Sequence, residues 1–257
     1  MEVITVANNK GGVGKTMQCY QLACYLASKG NKVLVIDLDS QANLSSTFEI
    51  QIKRTLIPEW LIGDVDGEDI IVQSGGTQEF HQNIFLIPSS RHLANLSKLL
   101  ILSESEIRKN AGRKERLLRL RLRELEEEFD YVVIDTPPML GDELIMSLVT
   151  SDRILIPTQA QDYSIDGLEE LMDTFEIIKE TENPKLQFNI IPSMVNLRRK
   201  IEKQRMEELA GQFNITPPVR NLVQMQESIS CRKPVFMMGK RSRAKSDYEQ
   251  LWQSLEL

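Results

Sequence analysis

Histidine and cysteine are scarce in this chain of 257 residues, which holds two of the first and three of the second. His81 and His92 stand outside any ligand spacing, and Cys19, Cys24 and Cys231 form no C-x-x-C pair. That pattern argues against a metal centre built on thiolates or imidazoles. Cys19 and Cys24 fall in one helical stretch as small buried hydrophobes, which fits a reducing cytoplasm. No apolar run approaches the ~18 residues of a membrane-spanning helix. The first residues enter a strand at once, leaving no room for a signal peptide. There is no internal repeat, low-complexity linker or credible domain boundary, so residues 1–257 read as a single domain. A hydrophobic fraction of 41% is enough for its core.

Acidic charge prevails, with a net of −6, but unevenly. Between Ser193 and Lys245 stand twelve Lys and Arg against four Glu, a local net of +8, leaving −14 for the remainder. A basic end on an acidic protein suggests a face for a polyanion.

What the chain has in strength is Lys10-Gly11-Gly12-Val13-Gly14-Lys15-Thr16. It follows Val3 to Ala7, a β-branched apolar run that reads as a buried strand. It precedes Gln18 to Lys29, where Cys19, Leu22, Ala23 and Leu26 recur at helical spacing. Strand, glycine turn and helix opening on Gly-Lys-Thr form a phosphate-binding loop. Glycines let backbone N–H groups close around phosphate oxygens, and the helix N-terminus adds partial positive charge. Lys15 reaches the β/γ-phosphates and Thr16 is the Mg²⁺ ligand of such loops. The first glycine of the general pattern is replaced by Asn9, and an extra lysine, Lys10, stands before the glycine pair. Lys32 to Asp39 reads as a second strand ending in Asp37-Leu38-Asp39. Tyr131 to Ile134 reads as a third, delivering Asp135 beside the loop as a Mg²⁺ holder before Thr136-Pro137-Pro138 stops it.

Lys10 to Thr16 resembles the deviant Walker A motif of the ParA/MinD superfamily. Asp37-Leu38-Asp39-Ser40-Gln41 is similar to that family's D-x-D-P-Q, with Ser40 for Pro, and Ile134 to Pro138 matches its Walker B stretch. The likeness spans nearly the whole chain and is weakest over 46–125. It implies an α/β three-layer sandwich, a mostly parallel central sheet flanked by helices, as in a deviant P-loop NTPase. It also implies ATP and Mg²⁺ as cofactors and a weak, partner-stimulated ATPase. Gly11, Gly12, Val13, Gly14, Lys15, Thr16 and Met17 would hold the nucleotide, with Lys10 reaching in trans into a sandwich homodimer. Asp39 would position the attacking water, and Thr16, Asp39 and Asp135 would serve the metal. Asn196 reads as an adenine contact or as a turn residue. Thr158 to Leu168 resembles a further family stretch, with Asp162 where Glu is common.

Arg198, Arg199, Arg220, Arg232, Lys233, Lys240 and Arg241 are the expected DNA contacts. The partners implied are non-specific DNA on the nucleoid and a centromere-binding ParB-type protein. A membrane is not expected, because the C-terminal stretch is short and acidic rather than basic and amphipathic. The alternative is a ParA/MinD-like ATPase that positions a cargo other than DNA or acts at the membrane. The start of the chain at the first strand argues against an operator-binding extension. Further helices are expected over Leu93–Leu102, Glu104–Glu128, Ser164–Glu180, Leu197–Gln212 and Asp247–Leu257. The strongly basic one at 104–128 is read as a solvated outer face rather than a DNA contact.

Overall fold

A computed structural model describes residues 1–159, 165–239 and 242–257. The chain runs from β1 (Glu2–Val6) through α1 (Lys15–Ser28), β2 (Val33–Asp37), α2 (Asn43–Thr47), α3 (Ile57–Ile62) and α4 (Gly67–Ile70). Next come β3 (Val72–Gln73), β4 (Ile84–Ile87), α5 (Leu96–Leu102), α6 (Glu104–Asn110) and α7 (Leu117–Arg123). β5 (Tyr131–Asp135), α8 (Asp142–Thr150), β6 (Arg153–Gln159), α9 (Ile165–Thr181) and β7 (Gln187–Ser193) follow. The chain closes on α10 (Lys200–Ala210), α11 (Val223–Ser230) and α12 (Arg243–Ser254).

Seven strands form one sheet in the order β3-β4-β2-β5-β1-β6-β7, parallel throughout except for the short edge strand β3. Their near-continuous apolar runs have a physical reason: both faces are covered, so both side-chain sets must be apolar. One face, carrying Ile4, Val6, Val35 and Val133, packs on Leu22 and Leu26 of α1 and on Leu251 and Trp252 of α12. The other, through Leu34, Ile36, Val132 and Ile134, packs on Trp60, Leu96 and Leu118. Toward β6 that same layer continues over α8 and α9 through Leu148, Leu171 and Phe175. The result is the three-layer α/β sandwich.

The segment 104–128, expected as one helix, is broken into shorter pieces. α6 ends at Asn110, and Gly112 turns with φ +74°, a left-handed conformation suited to glycine. A 3₁₀ turn over Lys114–Arg116 then starts α7. Arg113 and Arg116 both meet Glu182, at 3.2 and 2.8 Å. Arg119 donates to the carbonyl oxygens of Val149 and Glu182, just at the ends of α8 and beyond α9. Part of the basic charge on this exposed face therefore also ties neighbouring helices together. In the stretch 64–72 only Gly67–Ile70 is helical, and Val72 pairs with Leu86 as a strand.

Candidate nucleotide site

Parallel register decides where the carboxylates meet. Val6 and Asp37 each stand opposite Asp135, so β1, β2 and β5 end level with one another. Ligands of open α/β sheets bind beyond these carboxyl ends, where the strand order turns. The turn from β1 into α1 fills that position. Gly12 and Gly14 have φ of +75° and +97°, and no side chain caps the start of α1. Its first N–H groups are therefore left for an anion. Asn8 sets the base of the loop, donating through Nδ2 to the Pro157 carbonyl oxygen and accepting from the Lys10 N–H, both at 2.9 Å.

Lys15 is buried and its ammonium donates to the Lys10 carbonyl oxygen at 3.0 Å. Burial holds its pKa below the usual lysine value, and the nearby charges of Asp135 and Asp39 oppose that shift. Thr16 Oγ1 donates to Asp135 Oδ2 at 2.7 Å, while Asp135 Oδ1 is buried with no hydrogen-bond partner. Burial, and then the charge of Asp37, push the Asp135 carboxyl well above the ordinary carboxylate range. A hydroxyl and an unsatisfied carboxylate oxygen beside a phosphate cradle suit Mg²⁺, which takes one or two protein oxygens and completes its octahedron with phosphate and water. The residues present fit the ion. Among the described residues, no group of three or more His, Cys, Asp and Glu is arranged to hold a metal without such help.

Asp37 and Asp39 divide their work. Asp37 is fully buried and accepts from the Ser45 N–H and hydroxyl at 2.9 and 2.7 Å, and from the Asp39 N–H at 3.1 Å. It holds the turn. Asp39 is half-buried, accepts from the Gln41 N–H at 2.9 Å, and is close enough for Lys15 to feel its charge.

Met17 Sδ accepts from Gln21 Nε2 at 3.5 Å, and that amide also donates to Ser228 Oγ at 2.6 Å. Val235 N–H donates to Gln21 Oε1, and Ser228 donates to the Lys233 carbonyl oxygen, so α1 is clipped to the basic segment after α11. Gln159 Nε2 donates to the Gly12 carbonyl oxygen at 2.8 Å, and Met194, at φ +54°, lies against Gly14. Gln21, Gln159 and Met194 escaped the sequence reading. Gln159 lay inside a recognised stretch with no role assigned, whereas Gln21 is one polar residue on a buried helix face.

The remaining expected contacts are scattered. Asn196 is exposed, and its Oδ1 accepts from the Arg198 N–H at 3.1 Å in an Asx turn. Arg198 and Lys233 are exposed. Arg199 pairs with buried Glu202 at 3.4 Å and Arg232 with Glu49 at 2.6 Å. Arg220 Nε lies 3.0 and 2.9 Å from the two oxygens of Asp247, its guanidinium locked onto α12. Lys240, Arg241 and Asp162 lie outside the described residues.

The link from the start of α1 to the end of β5 is the wiring of P-loop ATPases, and this chain belongs to their ParA/MinD branch. An AAA domain family profile matches residues 1–188. The Soj sporulation initiation inhibitor of Bacillus subtilis is 32% identical over 96% of this chain and 95% of its own. A plasmid partition protein of Borrelia burgdorferi, solved with AMPPNP bound, is 27% identical with a TM-score of 0.78 over 99% of this chain and 98% of its own. McdA of Cyanothece in its apo form is 25% identical with a TM-score of 0.84 over 99% of each chain.

Proposed function

We propose that this chain is a Mg²⁺-dependent partition ATPase, one domain over its whole length, that dimerises on ATP and holds DNA without sequence preference. The observation that carries the nucleotide half is the Thr16–Asp135 bond with Asp135 Oδ1 left unsatisfied beside the glycine cradle. When bound, Mg²⁺ would screen phosphate charge as the terminal phosphate leaves. The residues around it have separable tasks. Backbone N–H groups from Gly11 to Thr16 and Met17 cradle the phosphates. Lys15 turns its ammonium from the Lys10 carbonyl to them. Asp39, half-exposed at the rim, positions the attacking water. Asn196 contributes to the base pocket from the loop after β7.

Dimerisation rests on the family likeness and on an apolar collar around the loop. Met139, Leu140 and Met194 are 59%, 37% and 37% exposed. Exposed apolar groups beside a charged site favour a protein partner face. Lys10 then serves the phosphates held by the other copy. The DNA half rests on the basic C-terminal segment, where Arg198, Arg199, Arg232 and Lys233 keep exposed surface for phosphates and Lys240 and Arg241 add charge. Arg220 supports that face from within. Several such contacts give non-specific Kd values of about 10⁻⁴ to 10⁻⁶ M at physiological salt, so doubling the face in a dimer turns weak binding into useful binding. A centromere-binding ParB-type partner would stimulate hydrolysis, which reopens the dimer and releases it from the nucleoid. No helix among the described residues is long and apolar enough to cross a membrane.

The test is binding to an arbitrary duplex without nucleotide, with ADP, and with ATP plus Mg²⁺, at two salt concentrations. Binding confined to the ATP state and falling steeply with salt is expected. An ATP-dependent dimer with no affinity for DNA would transfer the same cycle to a cargo other than DNA.

A further inference from the structure

Beyond Asp39 the carboxyl ends of β2 and β4 enclose a second pocket, of about 550 Å³, whose lining includes none of the phosphate-loop residues. We propose that it binds a small organic phosphate. One wall is the turn after β2, with Ser40 and Gln41; the opposite wall follows β4, with Ser89, Arg91 and His92; Lys53 stands on the rim. No acidic side chain lines it. Three basic groups and four serines line it, and no ion pair engages Lys53 or Arg91 among the described residues.

Ser89 supplies the second, independent observation. It is 2% exposed, its N–H is satisfied by Ser45 Oγ at 3.0 Å, yet its own hydroxyl is buried with no hydrogen-bond partner. Buried hydroxyls are seldom left unpaired, because desolvation without a partner is costly. A phosphate oxygen seated between Ser89 and Arg91 would satisfy it. Ile50 and Ile52 form an apolar stretch of the same lining, which suits a ligand with an organic part rather than the bare ion. The volume lies in the range of small-molecule sites, roughly 300–1,000 Å³. Gln41, in the wall, has its N–H on Asp39 Oδ1, so an occupant would touch the loop that carries Asp39. Binding itself needs no ATPase reading; any effect on hydrolysis rests on the function proposed above.

The probe is phenyl phosphate, titrated by isothermal calorimetry into the full chain saturated with Mg²⁺–ADP, so that the phosphate loop is filled. A parallel titration uses Lys15→Ala, which disables that loop. Saturable binding in both is expected, with Arg91→Ala and Lys53→Ala each weakening it about tenfold, as for loss of a charge-assisted hydrogen bond. Ser89→Ala should weaken it several-fold while leaving the thermal midpoint unchanged or higher. Binding that vanishes on ADP saturation, or that ignores Arg91, Lys53 and Ser89, would overturn the proposal. So would competition by duplex DNA at these residues without phenyl phosphate binding, which would make them part of the DNA face.

Discussion

Asp135 carries a proton cost that the nucleotide-free protein bears alone. Its carboxyl is raised by burial and by Asp37, to about 8, against about 3.9 in an unfolded chain. Across that window the unfolded state releases a proton that the folded state keeps. Stability is therefore full below it and falls as pH rises through it. Asp135→Asn should flatten that slope, measured by urea titration at a series of pH values without nucleotide; an unchanged slope would put the titration elsewhere. Mg²⁺ with nucleotide needs the ionised carboxylate, so binding at neutral pH should release a proton, visible by calorimetry in buffers of different ionisation enthalpy. Lys10 and Asp39 separate assembly from chemistry. Lys10→Ala should keep some ATP binding and lose the ATP-dependent dimer in light scattering, whereas a normal dimer would remove its role in trans. Asp39→Ala should slow phosphate release and leave the dimer long-lived on DNA. These side chains were legible in the sequence because short motifs fix their chemistry. Gln21 and Gln159 were not, because an amide's meaning lies in its partners, and Gln21 meets Ser228 across 207 residues of chain.

The strands were legible for a related reason. A buried parallel strand must be apolar on both faces, so β1, β2 and β5 announce themselves as continuous runs. The helices were less so. Propensity favours one helix from Glu104 onward, and only Gly112 hints at the break that brings Arg113 and Arg116 to Glu182. Charge read by sequence alone also gave no sign of the partner of Arg220, whose guanidinium pairs with Asp247 on α12. Asp247 is 5% exposed, so Arg220→Ala would leave a carboxylate buried without its counter-ion and cost about 2–4 kcal/mol, measurable by urea unfolding. Arg198→Ala, on the exposed turn before α10, should leave the unfolding midpoint unmoved. It should also reduce the slope of log affinity against log salt by about one. Equal destabilisation by the two variants would contradict this division between a structural and a contacting arginine.

As a whole the molecule sets its basic surface apart from its nucleotide loop yet ties the two together through Gln21, Ser228 and Val235. The loop's other anchor has a consequence for how the protein is made. β1 pairs only with β5 and β6, so its neighbours in the sheet lie about half a chain away. At roughly 5–20 residues per second, the ribosome needs on the order of ten seconds after extruding β1 before Asp135 exists to meet Thr16. Until then the glycine loop hangs from an unpaired apolar strand. A nascent chain is thus blind to nucleotide until β5 has been made, and it exposes a sticky strand until then. Trigger-type holding chaperones would have their longest engagement there, and ATP would first find a finished site only after β5 clears the exit tunnel.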